Sequence, residues 1–305
     1  MTYHQLATDR VWWRHLLGAL LIVVGWLVGG AVVYGVGDLA APLSPRAALA
    51  LDFAAVAVLL PVTWLATLVS QGRRPGTLSS VTGRLRWALL ARCLVPAATV
   101  AAVLGAVTVM VDQAPVASAA ASEVLRTLAA LVLLVPVQAA AEEYVFRGYL
   151  LQAFGRLPGG RRPPGPRAMR VGAWPAILAQ AVLFAALHGW GTPWGFTDLV
   201  FFGVVCGWLT VRTGGLEAAI ALHALNNLSA VALLALTGDL TITQTAADLP
   251  WQMVAIDVPV MLLYAFAVAR LARRWGQGGG SRRAHEGGGE LMERRPSAVG
   301  QTLTG

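Results

Sequence analysis

The stretch at residues 124–154 reads VLRTLAALVLLVPVQAAAEEYVFRGYLLQAF. It is apolar over most of its length, yet Glu142, Glu143 and Arg147 lie inside it. A bilayer-spanning helix needs about 20 mostly apolar residues, so this run is long enough to cross a membrane. Ionisable side chains inside such a helix are costly and usually functional. The stretch therefore predicts a membrane-spanning helix with a polar site inside it.

The composition extends this prediction to the whole chain. Of the 305 residues, 12% are charged and 57% are hydrophobic, and the mean hydropathy is +0.65. Soluble domains carry roughly 25% charged residues, so lipid is the natural solvent for most of this chain. The net charge of +8 does not indicate nucleic acid, because the arginines fall between apolar runs. Cys93 and Cys206 lie in apolar runs and offer neither a disulfide framework nor a CxxC pair.

Eight apolar runs predict an all-α fold, a polytopic bundle of about eight transmembrane helices. The fifth and sixth runs are short, and the fourth is long enough to extend past the bilayer surface. The runs cover residues 16–36, 47–70, 87–111, 124–154, 174–189, 199–211, 216–236 and 251–271.

The placement of arginine predicts the orientation of this bundle. With eight spans, nineteen of the 23 basic residues fall on one side, and Arg46 lies in a loop on the other. Because cytoplasmic loops are enriched in basic residues, both termini are predicted to be cytoplasmic in a multi-pass protein of the cell membrane. The chain has no lysine, which we interpret as the codon bias of a GC-rich bacterial genome.

Four regions follow from these runs. Residues 1–123 are predicted to form an N-terminal three-helix membrane region and residues 124–237 the core that carries the chemistry. Residues 238–275 contain the final transmembrane helix, and the Gly-rich residues 276–305 are predicted to be a disordered cytoplasmic tail. The Pro/Gly/Arg-rich residues 157–170 are predicted to be an unstructured cytoplasmic loop.

The first polar cluster is Glu142-Glu143-Tyr144-Val145-Phe146-Arg147. Helical residues four apart share a face, whereas adjacent residues point about 100° apart. Glu143 is therefore predicted to pair with Arg147, and Glu142 to face elsewhere with no partner in its own helix. An unpaired carboxylate in a low-dielectric setting suits a general acid or base. The alternative is a structural ion-pair network that ties helices together.

Two further clusters lie in the fifth and seventh runs. Phe184 shares a helical face with His188, and His223 shares one with Asn227. His223 and Asn227 can both donate hydrogen bonds to a developing oxyanion. The remaining histidines are expected to be solvated; they are His4, His15 and His285.

Depth indicates whether the three clusters could meet. At about 1.5 Å per residue, Glu142 and His188 lie roughly 20 Å from the loop that joins their helices. His223 lies only 11 residues after Arg212, so its depth matches those of Glu142 and His188 less well. We expect the clusters to lie together.

The three clusters together resemble the CAAX-protease and bacteriocin-processing (CPBP) family of intramembrane proteases, which includes the type II CAAX prenyl endopeptidases. That family carries the motifs EExxxR, FxxxH and HxxxN on successive core helices. This chain has all three in order and with the same spacing, within residues 124–236. They are Glu142-Glu143 with Arg147, Phe184 with His188, and His223 with Asn227.

The resemblance implies hydrolysis of a peptide bond within the membrane by an activated water. Glu142 would activate the water with the assistance of His188. His223 and Asn227 would stabilise the oxyanion. The implied substrate is a peptide or a lipidated protein associated with the membrane.

The resemblance also implies supporting roles, and it leaves the question of a metal open. Glu143 and Arg147 would hold the fourth helix in register, and Phe184 would pack against the site. Glu142, His188 and His223 are the candidate ligands of a zinc ion, as in a metalloprotease. No HExxH motif is present, and we favour a mechanism without a cofactor, with zinc as the alternative.

Two other functions are compatible with these residues. One is a non-catalytic scaffold or bacteriocin-immunity protein of the same fold, although such a protein could replace the polar motif residues with apolar ones. The other is a proton-coupled transporter that uses intramembrane glutamate and histidine. A transporter of this kind is often built from internal repeats, and the sequence shows none.

Overall fold

The computed structural model describes residues 3–7, 11–112, 118–156, 172–240 and 245–292, and these residues form an all-helical bundle. Seven of its helices are long and apolar enough to cross a membrane, and an eighth is apolar but shorter. The helices are α1 (Trp12–Leu39), α2 (Pro45–Gln71), α3 (Trp87–Asp112), α4 (Ala121–Phe154), α5 (Trp174–Leu187), α6 (Pro193–Thr213), α7 (Glu217–Thr237) and α8 (Trp251–Met292). The all-helical class is confirmed, and the chain is a multi-pass membrane protein.

Two of these helices are interrupted. In α2, the segment Pro45–Ala57 is followed by Leu59–Gln71. In α4, Ala121–Leu131 and Leu134–Glu143 are α-helical, Tyr144–Leu150 is π-helical and Leu151–Phe154 returns to α-helix. Short helical turns also form at Tyr3–Gln5, Gly76–Ser79 and Ala246–Asp248.

The helix α5 is too short to cross a bilayer by itself. Its 14 residues extend about 21 Å, whereas the hydrocarbon core is about 30 Å thick. The helix ends at His188 because Gly189 and Gly191 adopt positive φ angles of 102° and 23°. If the start of α5 lies at a membrane surface, its other end and His188 lie inside the bilayer.

The helix α6 is longer than its apolar run predicts. It begins at Pro193, where the side chain of Thr192 accepts a hydrogen bond from the amide of Gly195 at 3.0 Å. The predicted start at residue 199 is wrong because Asp198 interrupts the apolar run but not the helix. Asp198 is buried there and faces Asp257 of α8.

The bundle places α7 at its centre. This helix packs against α3 and α4, while α6 packs against α5 and α8, and α1 lies at the edge against α2. The start of α7 is anchored by Glu217, which is fully buried. Its carboxylate accepts hydrogen bonds from Nε and Nη2 of Arg86 at 2.9 and 2.7 Å. This bidentate pair fixes where α7 begins.

Both ends of the described chain differ from the sequence prediction. His4 and His15 were expected to be solvated, but both are buried. The reason for His4 is that the turn Tyr3–Gln5 packs beneath Gly155, and the Tyr3 hydroxyl donates to the carbonyl of Leu78. At the other end, α8 continues to Met292, through residues 276–292 of the predicted tail, although glycine lowers helix propensity. Residues 293–305 of the predicted tail, residues 157–171 and the His285 side chain lie outside the described residues.

Candidate active site

The two adjacent glutamates lie where α4 changes from α- to π-helix. The α-helical segment ends at Glu143, and the π-helical segment begins at Tyr144. Every residue from 141 to 149 is buried. Single π-helical turns inside α-helices occur frequently at functional sites.

Glu143 joins two helices through one carboxylate oxygen. Its Oε1 lies 3.0 Å from Nη1 of Arg147 and 2.8 Å from Nδ1 of His223 on α7. Glu143 and Arg147 are both fully buried. The predicted pairing of Glu143 with Arg147 is confirmed. The contact with His223 is an addition that spacing along one helix could not predict.

The guanidinium of Arg147 lies among aromatic rings. It is 4.2 Å from the ring centroid of Phe184, 5.5 Å from that of Phe202 and 5.8 Å from that of Phe146. A cation over an aromatic face gains about 2 kcal/mol when both are removed from water. These rings and Glu143 together stabilise a positive charge inside the bundle.

Glu142 uses its two carboxylate oxygens differently. Oε1 accepts a hydrogen bond from Nε2 of Gln138, one turn earlier in α4, at 2.5 Å. Oε2 is buried without a hydrogen-bond partner among the described residues, 3.7 Å from Nε2 of His223 and 3.9 Å from Nε2 of His188. The prediction that Glu142 has no partner in its own helix is wrong, because Gln138 lies four residues before it on the same face.

His188 is held by the end of its own helix. Its Nδ1 lies 2.8 Å from the carbonyl oxygen of Phe184, and its ring is 4.4 Å from the Phe184 ring. The predicted shared face of Phe184 and His188 is confirmed. The His188 side chain is 27% exposed, against 11% for Glu142 and 5% for His223. The site is therefore most accessible beside His188, where α5 ends.

Asn227 is connected to Glu142 by hydrogen bonds through Gln138. Its Nδ2 donates to Oε1 of Gln138 at 3.1 Å. Gln138 was missed in the sequence, although its position four residues before Glu142 carried the signal. Phe202, whose ring centroid is 5.2 Å from that of His223, was also missed. Nothing in its apolar run distinguishes it.

The structure brings the three predicted clusters together. Glu142 lies 12 residues before the end of α4, and His188 follows the 14 residues of α5, but His223 lies only six residues into α7. These side chains meet because the start of α7 lies about 10 Å nearer to the site than the end of α4 and the start of α5 do. Its first turn is held at that depth by Glu217 and Arg86.

The candidate zinc ligands are too far apart for a formed zinc site. Ligand atoms around tetrahedral zinc lie about 3.3 Å apart, given bonds of about 2.0–2.1 Å. The Nε2 atoms of His188 and His223 lie 3.9 and 3.7 Å from Oε2 of Glu142. Within the described part of the chain, no group of three or more His, Cys, Asp and Glu side chains could hold a metal ion. Cys93 and Cys206 are both buried as free thiols.

Comparison with known proteins agrees with the resemblance of the motifs. Residues 124–229 match the model of a family described as type II CAAX prenyl endopeptidase Rce1-like. This segment is about a third of the chain and contains all seven predicted site residues. The predicted family resemblance is confirmed for this segment.

One curated relative is similar to part of this chain. The uncharacterized protein YyaK of Bacillus subtilis (strain 168) is 37% identical over 116 residues, which are 35% of this chain and 34% of that protein. The chain therefore spans about a third of the length of this relative. No solved structure matches the chain.

Proposed function

We propose that this protein is an intramembrane endopeptidase that hydrolyses a peptide bond of a membrane-associated or lipidated substrate. One observation carries the proposal. The Nε2 atoms of two histidines from different helices converge on Oε2 of Glu142, a buried carboxylate oxygen that lacks a hydrogen-bond partner in the described structure. The match of residues 124–229 to the Rce1-like family supports the same reaction class.

The hydrogen bond of His188 determines which of its ring nitrogens carries the proton and which can act as a base. A carbonyl oxygen only accepts, so Nδ1 of His188 must carry the proton that is donated to Phe184. In the neutral ring, Nε2 then has a free lone pair directed towards Glu142. This arrangement suits a base that assists Glu142 in removing a proton from water.

The charges around His223 favour a role as a hydrogen-bond donor, whereas His188 acts as a base. Glu142, Glu143 and Arg147 together carry one net negative charge in a buried cluster. A protonated His223, with Nδ1–H donating to Glu143, would bring the net charge to zero. Buried charges are stable when they are balanced and hydrogen-bonded. Nε2–H of His223 would then be a donor for an oxyanion.

These roles give a balanced reaction. Glu142 Oε2 accepts a proton from water, and the water oxygen attacks the peptide carbonyl carbon. Nε2–H of His223 and the second Nδ2–H of Asn227 stabilise the tetrahedral oxyanion. The proton held by Glu142 passes to the leaving nitrogen as the C–N bond breaks. The reaction needs no cofactor, and zinc remains the alternative to test.

The bilayer limits the partners of this site. We infer that the end of α5 lies inside the bilayer, and His188 at that end is more exposed than Glu142 and His223. A peptide that reaches it must be stable within or beside lipid, which a lipidated or apolar chain would be. We place the protein in the cell membrane, with a peptide or lipidated protein as its substrate and no nucleic acid partner.

Cleavage of a quenched-fluorescent, lipid-tailed peptide by purified protein in detergent tests this proposal. We expect turnover by the wild type and loss of turnover in Glu142→Gln. Glu123→Gln is the matched control, because Glu123 begins the same helix but is 48% exposed and remote from the site in sequence. Equal turnover with and without Glu142 would contradict the mechanism. No turnover of a broad peptide set would favour the non-catalytic scaffold.

A further inference from the structure

Gln138 lies in a part of α4 where an apolar side chain would be expected. The residues around it are valine and alanine, and Gln138 itself is 4% exposed. A buried amide is costly unless both of its ends are hydrogen-bonded. Both ends of this amide bind side chains of the candidate site, Glu142 at Nε2 and Asn227 at Oε1.

We propose that Gln138 is a positioning residue that holds Glu142 and Asn227 in their reactive orientations. This inference rests on the proposed function. Gln138 would not touch the substrate. It would act by fixing the general base on its own helix and an oxyanion donor on α7.

The two hydrogen bonds leave the amide only one orientation. Nε2 must face Glu142, because a carboxylate only accepts, and Oε1 must face Asn227 Nδ2, which only donates. A flipped amide would lose both bonds and oppose like groups at each end. Gln138 therefore links α4 to α7 with a defined polarity.

This polarity determines which atoms of the two partners remain available. Oε1 of Glu142 is occupied by Gln138, so Oε2 is the oxygen directed at the two histidines. One N–H of Asn227 is occupied, so the other is left for an oxyanion. Gln138 thus occupies one polar atom of Glu142 and one of Asn227 and leaves the other available for the reaction.

Another buried glutamine shows what a structural role looks like in this bundle. Gln180 of α5 is fully buried, and its Nε2 donates to the backbone carbonyls of Ile177 and Gly203, both at 2.8 Å. It ties α5 to α6 through backbone groups. Gln138 instead bonds two side chains whose orientation matters for chemistry. Gln180 is therefore the matched control.

The test compares Gln138→Met with Gln180→Met, since methionine keeps the length of glutamine and removes its hydrogen bonds. Losing a residue that orients a metal ligand typically lowers activity by about 10–100-fold, and we expect a loss of similar size for a residue that orients a general base. We expect Gln138→Met to lower kcat by about this factor with KM changed less than about threefold. Gln180→Met should lower the thermal stability while keeping kcat.

Two further variants separate positioning from packing. Gln138→Glu keeps an acceptor for Asn227 but places a second carboxylate against Glu142, so it should stay impaired. In an Asn227→Ala background, Gln138→Met should cost less than in the wild type, because one of its two partners is already gone. A loss caused by packing alone would be the same in both backgrounds.

An infrared measurement makes the inference independent of turnover. The carboxylate bands of Glu142 are identified by their disappearance in Glu142→Gln. They should shift in Gln138→Met and stay unchanged in Gln180→Met. If the wild type cleaves no peptide but the bands shift, the proposed function fails while the positioning contact stands. Unchanged bands, or wild-type kcat in Gln138→Met, would overturn the inference.

Discussion

Oε1 of Glu143 lies 2.8 Å from Nδ1 of His223, a residue that follows it by 80 positions in the chain. The same oxygen is 3.0 Å from Nη1 of Arg147. Glu143 is thus shared between a charge that stabilises α4 and a histidine that belongs to the candidate site. Substituting Glu143 is therefore expected to affect stability and activity differently from substituting Glu142.

Glu143→Gln should lower both stability and activity. Removing one partner of a buried ion pair leaves the other charge uncompensated, at a cost of about 3–5 kcal/mol. Here the charge left behind is Arg147, which is fully buried. The loss should appear as a lower melting temperature in detergent together with lower peptidase activity. Glu142→Gln should abolish activity with a smaller change in melting temperature, and equal melting temperatures for both variants would contradict the assignment.

Much of the fold could be predicted because hydropathy alone determines which segments span a bilayer. The runs at residues 87–111 and 216–236 agree closely with α3 and α7. The boundaries that failed depend on tertiary contacts. The apolar run near α6 breaks at Asp198, but the helix does not, since Asp198 is buried facing Asp257 of α8.

The same distinction applies to the candidate site. The pairing of Glu143 with Arg147 and the packing of Phe184 on His188 are contacts within one helix, so spacing predicts them. The bond from Glu143 to His223 and the bridge from Gln138 to Asn227 join two helices. No spacing along one helix encodes the register between two, and so these contacts required the structure.

Phe184→Leu should weaken the site by uncovering Arg147 and His188. The Phe184 ring lies 4.2 Å from the Arg147 guanidinium and 4.4 Å from the His188 ring. A desolvated cation–π contact is worth about 2 kcal/mol, so we expect a stability loss of about that size and reduced kcat. Phe266→Leu is the control, because Phe266 lies 4.1 Å from Arg270 but is 54% exposed. Equal losses in the two variants would contradict this account.

Removal of metal should leave the peptidase active. Glu142 and the two histidines are spaced more widely than the ligands of tetrahedral zinc, and the proposed reaction uses only their protons and hydrogen bonds. We expect unchanged turnover after dialysis against a chelator, together with substoichiometric zinc by elemental analysis. Loss of turnover that added zinc restores would establish the metalloprotease alternative.

Single cysteines can test the predicted orientation. Cys93 and Cys206 are fully buried, so the wild type should label little with a maleimide. Ala40, between α1 and α2, and Thr82, between α2 and α3, are both exposed. If the N-terminus is cytoplasmic, as predicted, a membrane-impermeant maleimide should label Ala40→Cys in intact cells. It should label Thr82→Cys only after permeabilisation, and the reverse pattern would refute the orientation.

Acid should weaken the docking of the N-terminal turn through His4. Burial lowers the pKa of His4 from its usual 6.5 to about 4. The undocked chain therefore binds the proton more readily than the docked chain between these values. Docking is fully favoured above pH 6.5 and is progressively lost as the pH falls towards 4. At pH 5 the loss is up to about 2 kcal/mol.

The measurement is the change in melting temperature between pH 7.5 and pH 5 for the wild type and for His4→Leu. Leucine keeps the buried position apolar and cannot titrate, so the groups common to both proteins contribute equally. The wild type should lose more stability on acidification than the variant does. If the two lose the same amount, His4 is already protonated or solvated in the folded protein. The turn Tyr3–Gln5 would then not be held beneath Gly155 as the structure has it.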